Sequence, residues 1–208
     1  MGGVFMKKAI KRVAVCLLLA GLLWCGTLLA DRQRLNQELI RLHVVANSDS
    51  REDQWRKVLV RDAIVDYLAE ELKNVTDAER AKQYIQEKLP QLKAIAEKTL
   101  ILAGCEAPVE VTLSQEAFDR RDYDTFSLPA GVYEALRVVI GEGEGQNWWC
   151  VVFPGLCVPA TADGFGAVAA GAGFPEPLAG ALSREEGYTV RFWVLDTLGR
   201  IEICWLKP

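Results

Sequence analysis

Apolar and polar positions change period several times along the chain. Residues 13–30 are almost uninterrupted apolar side chains, with Leu17, Leu18, Leu19, Leu22, Leu23, Leu28 and Leu29 among them. Asp31 and Arg32 end the run. Its 18 residues fall between a signal-peptide core and a full membrane span of about 20 residues. Residues 37–46 then alternate, with Ile40, Leu42 and Val44 set against Arg41 and His43, and this predicts a strand. Asn47, Ser48, Asp49 and Ser50 have turn and helix-cap chemistry, and Glu52 and Asp53 suit the positive end of a helix. That helix is predicted to run to about Lys73 on a stripe of Trp55, Val58, Leu59, Val65, Leu68 and Leu72.

Thr76 and Glu79 form a capping box that opens a second helix. Its stripe comprises Tyr84, Ile85, Leu89, Leu92, Ile95, Ala96 and Leu100. Pro90 either kinks this helix or opens a third, and Gly104 is placed to end the helical region. The period then shortens. Residues 108–113, 132–140 and 147–153 read as strands, with a turn at Leu128, Pro129, Ala130 and Gly131. Residues 141–146 (GEGEGQ) are predicted to be a glycine-rich hairpin loop joining the last two. The chain becomes rich in Ala and Gly over 160–181, and further strands are predicted at 188–194 and 201–206. The order predicts an α+β fold: an N-terminal strand and two or three helices packed on one face of a largely antiparallel sheet. The expected organisation is a signal peptide or anchor at 1–30 and a domain at 31–158. A flexible insertion at 159–187 and C-terminal strands at 188–208 that join the domain complete it.

Charge sharpens the picture at the N-terminus. Lys7, Lys8, Lys11 and Arg12 precede the apolar run, and residues 1–30 hold no acid. The basic flank predicts that this side stays in the cytoplasm and that residues 31–208 lie outside, whether the segment is cleaved or kept as an anchor in the membrane through residues 13–30. The 24 basic residues of the chain then leave 20 in residues 31–208, against 28 acids, a net of −8. An acidic body is a poor partner for nucleic acid, so none is expected.

In an exported body, Cys105, Cys150, Cys157 and Cys204 can pair in three ways. Cys150 and Cys157 flank Pro154 and Gly155, and they are the predicted disulfide. With a single His and no Cys-x-x-Cys, a zinc site is disfavoured. No cofactor is expected. The GEGEGQ loop does not lead into a helix, and Glu142 and Glu144 would repel phosphate. Two acids also fall short of the roughly six to eight oxygens that calcium takes. On a strand, Trp148 and Trp149 point to opposite faces, which leaves one available as an interface anchor. A hydrolase reading would need His43 beside the Cys150 thiolate or an acid. No Gly-x-Ser-x-Gly, His-Glu-x-x-His or Walker motif supports it.

Three stretches together resemble the stage II sporulation protein R family: residues 42–50 (LHVVANSDS), 128–143 (LPAGVYEALRVVIGEG) and 147–157 (NWWCVVFPGLC). The resemblance covers roughly 39–158. It implies an exported signalling protein of the forespore. Such a protein acts across the intermembrane space on a membrane-embedded aspartic protease that processes a pro-sigma factor. It implies no catalytic residue. The expected contact surface is the unit of Glu142, Glu144, Asn147 and whichever of Trp148 and Trp149 faces out. The competing readings are an exported hydrolase of cell-wall or peptide substrate and a membrane-anchored scaffold.

Overall fold

Helix α1 spans Gly2–Glu38, so the apolar run and the polar residues after Asp31 share one rod. The computed structural model describes residues 2–123, 125–155, 169, 171, 174–183 and 189–206. After α1 come β1 (Ile40–Val45), α2 (Arg51–Glu71), α3 (Ala78–Leu102), β2 (Val109–Phe118), β3 (Arg121–Asp122), β4 (Ser127–Leu128), β5 (Gly131–Ile140) and β6 (Asn147–Phe153). Helices α4 (Glu176–Leu182) and α5 (Val190–Leu206) close the described chain.

The fold is α+β, around a mixed four-stranded sheet in the order β2-β5-β1-β6. β2 runs antiparallel to β5, and β6 antiparallel to β1. β1 and β5 are parallel, with Ile40 opposite Glu134 and Val45 opposite Val139. A parallel pair needs a long crossover, and α2, α3 and β2 supply it. The strand at 132–140 and the one at 147–153 therefore do not pair, because β1 lies between them. The predicted hairpin is a crossover loop instead.

The residues that alternate along β1 sort onto two dry faces. Ile40, Leu42 and Val44 join Leu136, Val138, Ile140, Cys150 and Val152 beneath α2 and α3. The opposite face carries Phe118, Tyr133, Ala135 and Val151 beneath Leu35 of α1, Leu39 just after it, Leu178 and Leu182 of α4, and Phe192 and Leu195 of α5. Helices thus cover both faces, where the sequence predicts one. Arg41 and His43 do not mark a wet face, for all six residues of β1 are buried. Arg41 is fully buried, with its guanidinium 3.9 Å from the Phe118 ring centroid and 5.2 Å from that of Tyr133. Its Nη2 donates to the Tyr123 hydroxyl at 2.9 Å. Desolvating such a charge costs several kcal/mol, and stacking on desolvated aromatic faces returns about 2 kcal/mol.

Local chemistry sets the helix ends. The Ser50 hydroxyl accepts from the Asp53 N–H at 3.1 Å and caps α2. The buried stripe of α2 is Lys57, Val60, Ile64 and Leu68, and the predicted stripe residue Trp55 lies exposed. Asp77, one residue later than the predicted Thr76, caps α3 by accepting from the Arg80 N–H at 2.9 Å. Pro90 lies inside α3, so no third helix opens there. The packing of Ile85, Leu92, Ala96 and Leu100 offsets the roughly 3 kcal/mol that an interior proline costs. Gly104, at φ +70°, ends the helix as predicted. Its N–H donates to Ile101, and the Cys105 N–H donates to Leu100.

The C-terminal region differs from the sequence reading. The strands predicted at 188–194 and 201–206 are replaced by α5, because Phe192, Leu195, Asp196, Gly199 and Ile203 repeat with a helical period. Gly199 lets α5 approach the loop before β5, for a Cβ there would sit 1.6 Å from the Ala130 carbonyl oxygen. At the end of the predicted flexible insertion, α4 buries Leu178, Ala181 and Leu182. Most of 159–173 lies outside the described residues.

Leu42 sits in the middle of the sheet with no exposed surface, whereas Leu102 is exposed at the end of α3. Leu42→Ala is expected to cost about 2–5 kcal/mol, and Leu102→Ala less than about 0.5 kcal/mol. Urea unfolding of the chain held in mild detergent micelles measures both.

A candidate protein interface at the end of the sheet

Because β1 lies between β5 and β6, residues 141–146 must pass over the C-terminal end of β1. Asn47 stands where they cross. Its side-chain oxygen accepts from the Glu142 N–H at 3.1 Å, and its amide nitrogen donates to Asp53 Oδ2 at 2.9 Å. The backbone N–H groups of Glu144 and Gly145 donate to the carbonyls of Asn47 and Ala46. The Gln146 N–H donates to Asp49 Oδ1 at 2.7 Å. Gly141 is required here, since it holds φ +58° and a Cβ would lie 2.1 Å from Asn47 Oδ1. From α2, the buried Lys57 donates to the Gln146 carbonyl at 2.9 Å and to Gln54 Oε1 at 2.6 Å. Burial pushes the Lys57 ammonium below its ordinary range, and Asp49 opposes that shift.

Hydrogen bonds from Ser48 and then Asn47 hold the Asp53 carboxyl down at about 2. The same carboxylate takes the Ser48 hydroxyl at 2.6 Å and pairs with Arg56 at 2.9 Å. Two loops that are 95 residues apart at Asn47 and Glu142 thus form one hydrogen-bonded unit. Glu142, Glu144, Gln146 and Asn147 lie exposed along its rim.

Trp148 and Trp149 point to opposite faces, as neighbours on a strand must. Trp148 is opposite Val44 and is 39 % exposed, with the Arg61 guanidinium of α2 4.2 Å from its ring centroid. Trp149 is half-buried, stacked on His43 at 5.6 Å between centroids, with Arg121 at 3.6 Å. His43 Nδ1 lies 2.9 Å from both Glu116 oxygens, and Nε2 lies 2.9 Å from Asn147 Oδ1. Both ring nitrogens are therefore engaged. Trp148 is the outward tryptophan at this edge.

The His43–Cys150 dyad does not assemble. Cys150 pairs with Leu42 and enters the core under α2 and α3, while His43 faces the other way with Trp149. Cys150 is also disulfide-bonded, so it offers no thiolate. Cys16, Cys25, Cys105 and Cys204 are free. Cys157, the predicted partner of Cys150, lies outside the described residues. A cavity of about 800 Å³ lies elsewhere, lined by Arg32, Asn36 and Glu38 of α1, Asp77 at the cap of α3, Lys82 of α3, and Glu134. Lys82 and Glu134 pair across it at 2.7 Å. Arg61, Glu116 and Arg121 are not visible in the sequence, because only the packing of α2 on the sheet and the order of its strands bring them to Trp148, His43 and Trp149.

A family model described as Stage II sporulation protein R matches residues 36–163. That stretch contains the sheet, α2, α3 and both loops of the interlocked end. The chain is similar to the stage II sporulation protein R of Bacillus subtilis (strain 168), with 41 % identity over 120 residues. The similarity covers 58 % of this chain and 54 % of the relative, so the chain spans about half the length of the curated relative that it matches. No solved structure matches.

Asn47→Ala leaves the Glu142 N–H and the Asp53 carboxylate each short of a partner, at an expected cost of about 1–3 kcal/mol. A carboxyl held at about 2 stabilises the fold above the unfolded value near 4 and loses that contribution as pH falls through about 2. The variant, with Asp53 released toward its ordinary range, should lose less stability than the parent between about pH 5 and 2. Urea unfolding across that range measures the difference. A deficit that stays constant would show that Asp53 does not couple the two loops.

Proposed function

Since the chain belongs to the stage II sporulation protein R family, a role in sporulation follows, and we propose that it is an exported signal that activates a membrane-embedded aspartic protease by contact. The activated protease then processes a pro-sigma factor. The observation that carries this reading is the exposed rim of Glu142, Glu144, Asn147 and Trp148, fixed to the sheet through Asn47. A rigid aromatic side chain ringed by polar groups suits a protein interface. The interlocked loops keep the rim in one conformation, which lowers the ordering cost of binding. Export rests on α1, among the described residues the one helix long and apolar enough to cross a membrane, whose apolar run is preceded by four basic residues and no acid.

Co-expression of the chain with the protease and its pro-sigma substrate, scored by substrate processing, tests the contact. Trp148→Ala should remove about 2 kcal/mol or more of binding, roughly thirty-fold in affinity. Glu142→Lys with Glu144→Lys should weaken activation by reversing the charge of the rim. If Trp148→Ala still activates while a folded His43→Ala chain does not, the contact reading is wrong.

Export is tested separately, by a C-terminal reporter that works only outside the cytoplasm. It should be active, and a cytoplasm-dependent reporter at the same point should be silent.

A further inference from the structure

Helix α5 carries an apolar face that the domain leaves uncovered. Val190, Trp193, Thr197, Ile201 and Trp205 recur at spacings of three and four residues, opposite the buried Phe192, Leu195 and Ile203. Trp193 is 64 % exposed and Trp205 85 %. With Val194 and Leu198, the first half of the stripe forms a shallow apolar groove. Such a continuous stripe marks a contact surface. It falls beyond the 36–163 family match, so membership of the family does not account for it.

The join between α5 and α1 says what lies against this face. Arg191 donates to Asp31 at 2.7 Å, Arg32 pairs with Glu202, and Asn36 donates to Glu202 at 3.2 Å. These contacts span twelve residues of α5, 191–202, but only six of α1, 31–36, so α5 lies at an angle across α1 instead of running beside it. The crossing falls where the apolar run gives way to Asp31. Leu28, one turn earlier, already belongs to the buried cluster that holds Phe192 and Leu195. A helix that crosses a membrane span at its exit lies along the membrane surface. The four charges of α5 are all paired: Arg191 with Asp31, Asp196 with Arg200, and Glu202 with Arg32. None of them falls within the apolar stripe. With four charges, α5 is no membrane span, but paired charges beside an apolar face ending in tryptophans suit the headgroup boundary.

We propose that α5 is a second membrane contact, lying in the surface of the bilayer from which α1 emerges, with Trp193 and Trp205 at the headgroup–acyl boundary. The proposal rests on α1 being inserted, and does not depend on the protease reading. Seated on both helices, the domain stands in one orientation on the membrane and cannot swivel about α1.

The test uses the full chain reconstituted in vesicles of phosphatidylcholine and phosphatidylglycerol, with bromine at a shallow or a deep position on the acyl chains. Trp193→Phe with Trp205→Phe, compared with the parent, isolates the emission of these two residues from the other tryptophans. Both positions are exposed, and unchanged far-ultraviolet circular dichroism confirms the fold. Shallow bromine should quench that emission at least about two-fold, and more than deep bromine does, because such helices sit about 5–10 Å into the boundary. Three results would overturn the proposal. The chain fails to float with the vesicles, so α1 is not inserted. The chain floats, but aqueous iodide and not bromine quenches the two residues. The emission is shielded from both quenchers and chemical cross-linking gives a dimer that Trp193→Ser abolishes, which makes a second copy the occupant.

Discussion

The placement of β1 between β5 and β6 is the constraint on which the other features depend. β1 is built first and is flanked by strands that begin 91 and 107 residues later. With β1 in the centre, both of its faces lie under helices, so Arg41 and His43 are buried beside Leu42 and Val44. The same placement forces residues 141–146 over the end of β1. Asn47, Gly141 and the caps of α2 then become parts of one joint. The rim that carries Trp148 is firm because it is tied to a central strand paired on both sides.

A chain assembled this way depends on non-local pairing. Leu42 faces Leu136 on one side and Cys150 on the other, so β1 cannot complete its hydrogen bonds until the last strands are present. Such topologies fold slowly, because loop closure is opposed by entropy before the distant contacts form. For a chain exported as proposed, slow assembly of the central strand would keep the body unfolded during passage.

Features fixed by neighbouring residues were legible in the sequence. The turn at Asn47 to Ser50, the cap of α2, the helix end at Gly104 and the opposed tryptophans each depend on a few adjacent side chains. Strand order does not. Residues 132–140 and 147–153 with a short glycine loop look like a hairpin, and nothing local shows that residues 40–45 enter between them. Alternation does not mark a wet face at β1, because Arg41 is stacked on Phe118 and Tyr133 and donates to Tyr123, which lie far along the chain. The C-terminal region was misread for another reason. Its apolar residues cover nearly every side of α5, one side facing the domain and the other facing out, so the pattern loses the contrast that marks a helix. The exposed rim was partly legible, since Glu142, Glu144, Asn147 and Trp148 fall within seven residues, but its braces Arg61 and Asn47 come from other elements.

Only Leu39 separates α1 from β1, which leaves no tether between the apolar rod and the centre of the sheet. The eight residues Asp31–Glu38 rise about 12 Å. The six residues of β1 add about 20 Å. The rim at Asn47 and Glu142 therefore stands no more than roughly 35 Å above the point where the apolar run ends. That is a fixed height. A flexible linker would let the rim search a volume, whereas this joint confines it to a thin shell parallel to the bilayer. If α1 is inserted as proposed, a partner would have to raise its own surface into that shell, and one standing lower than this would pass beneath without touching.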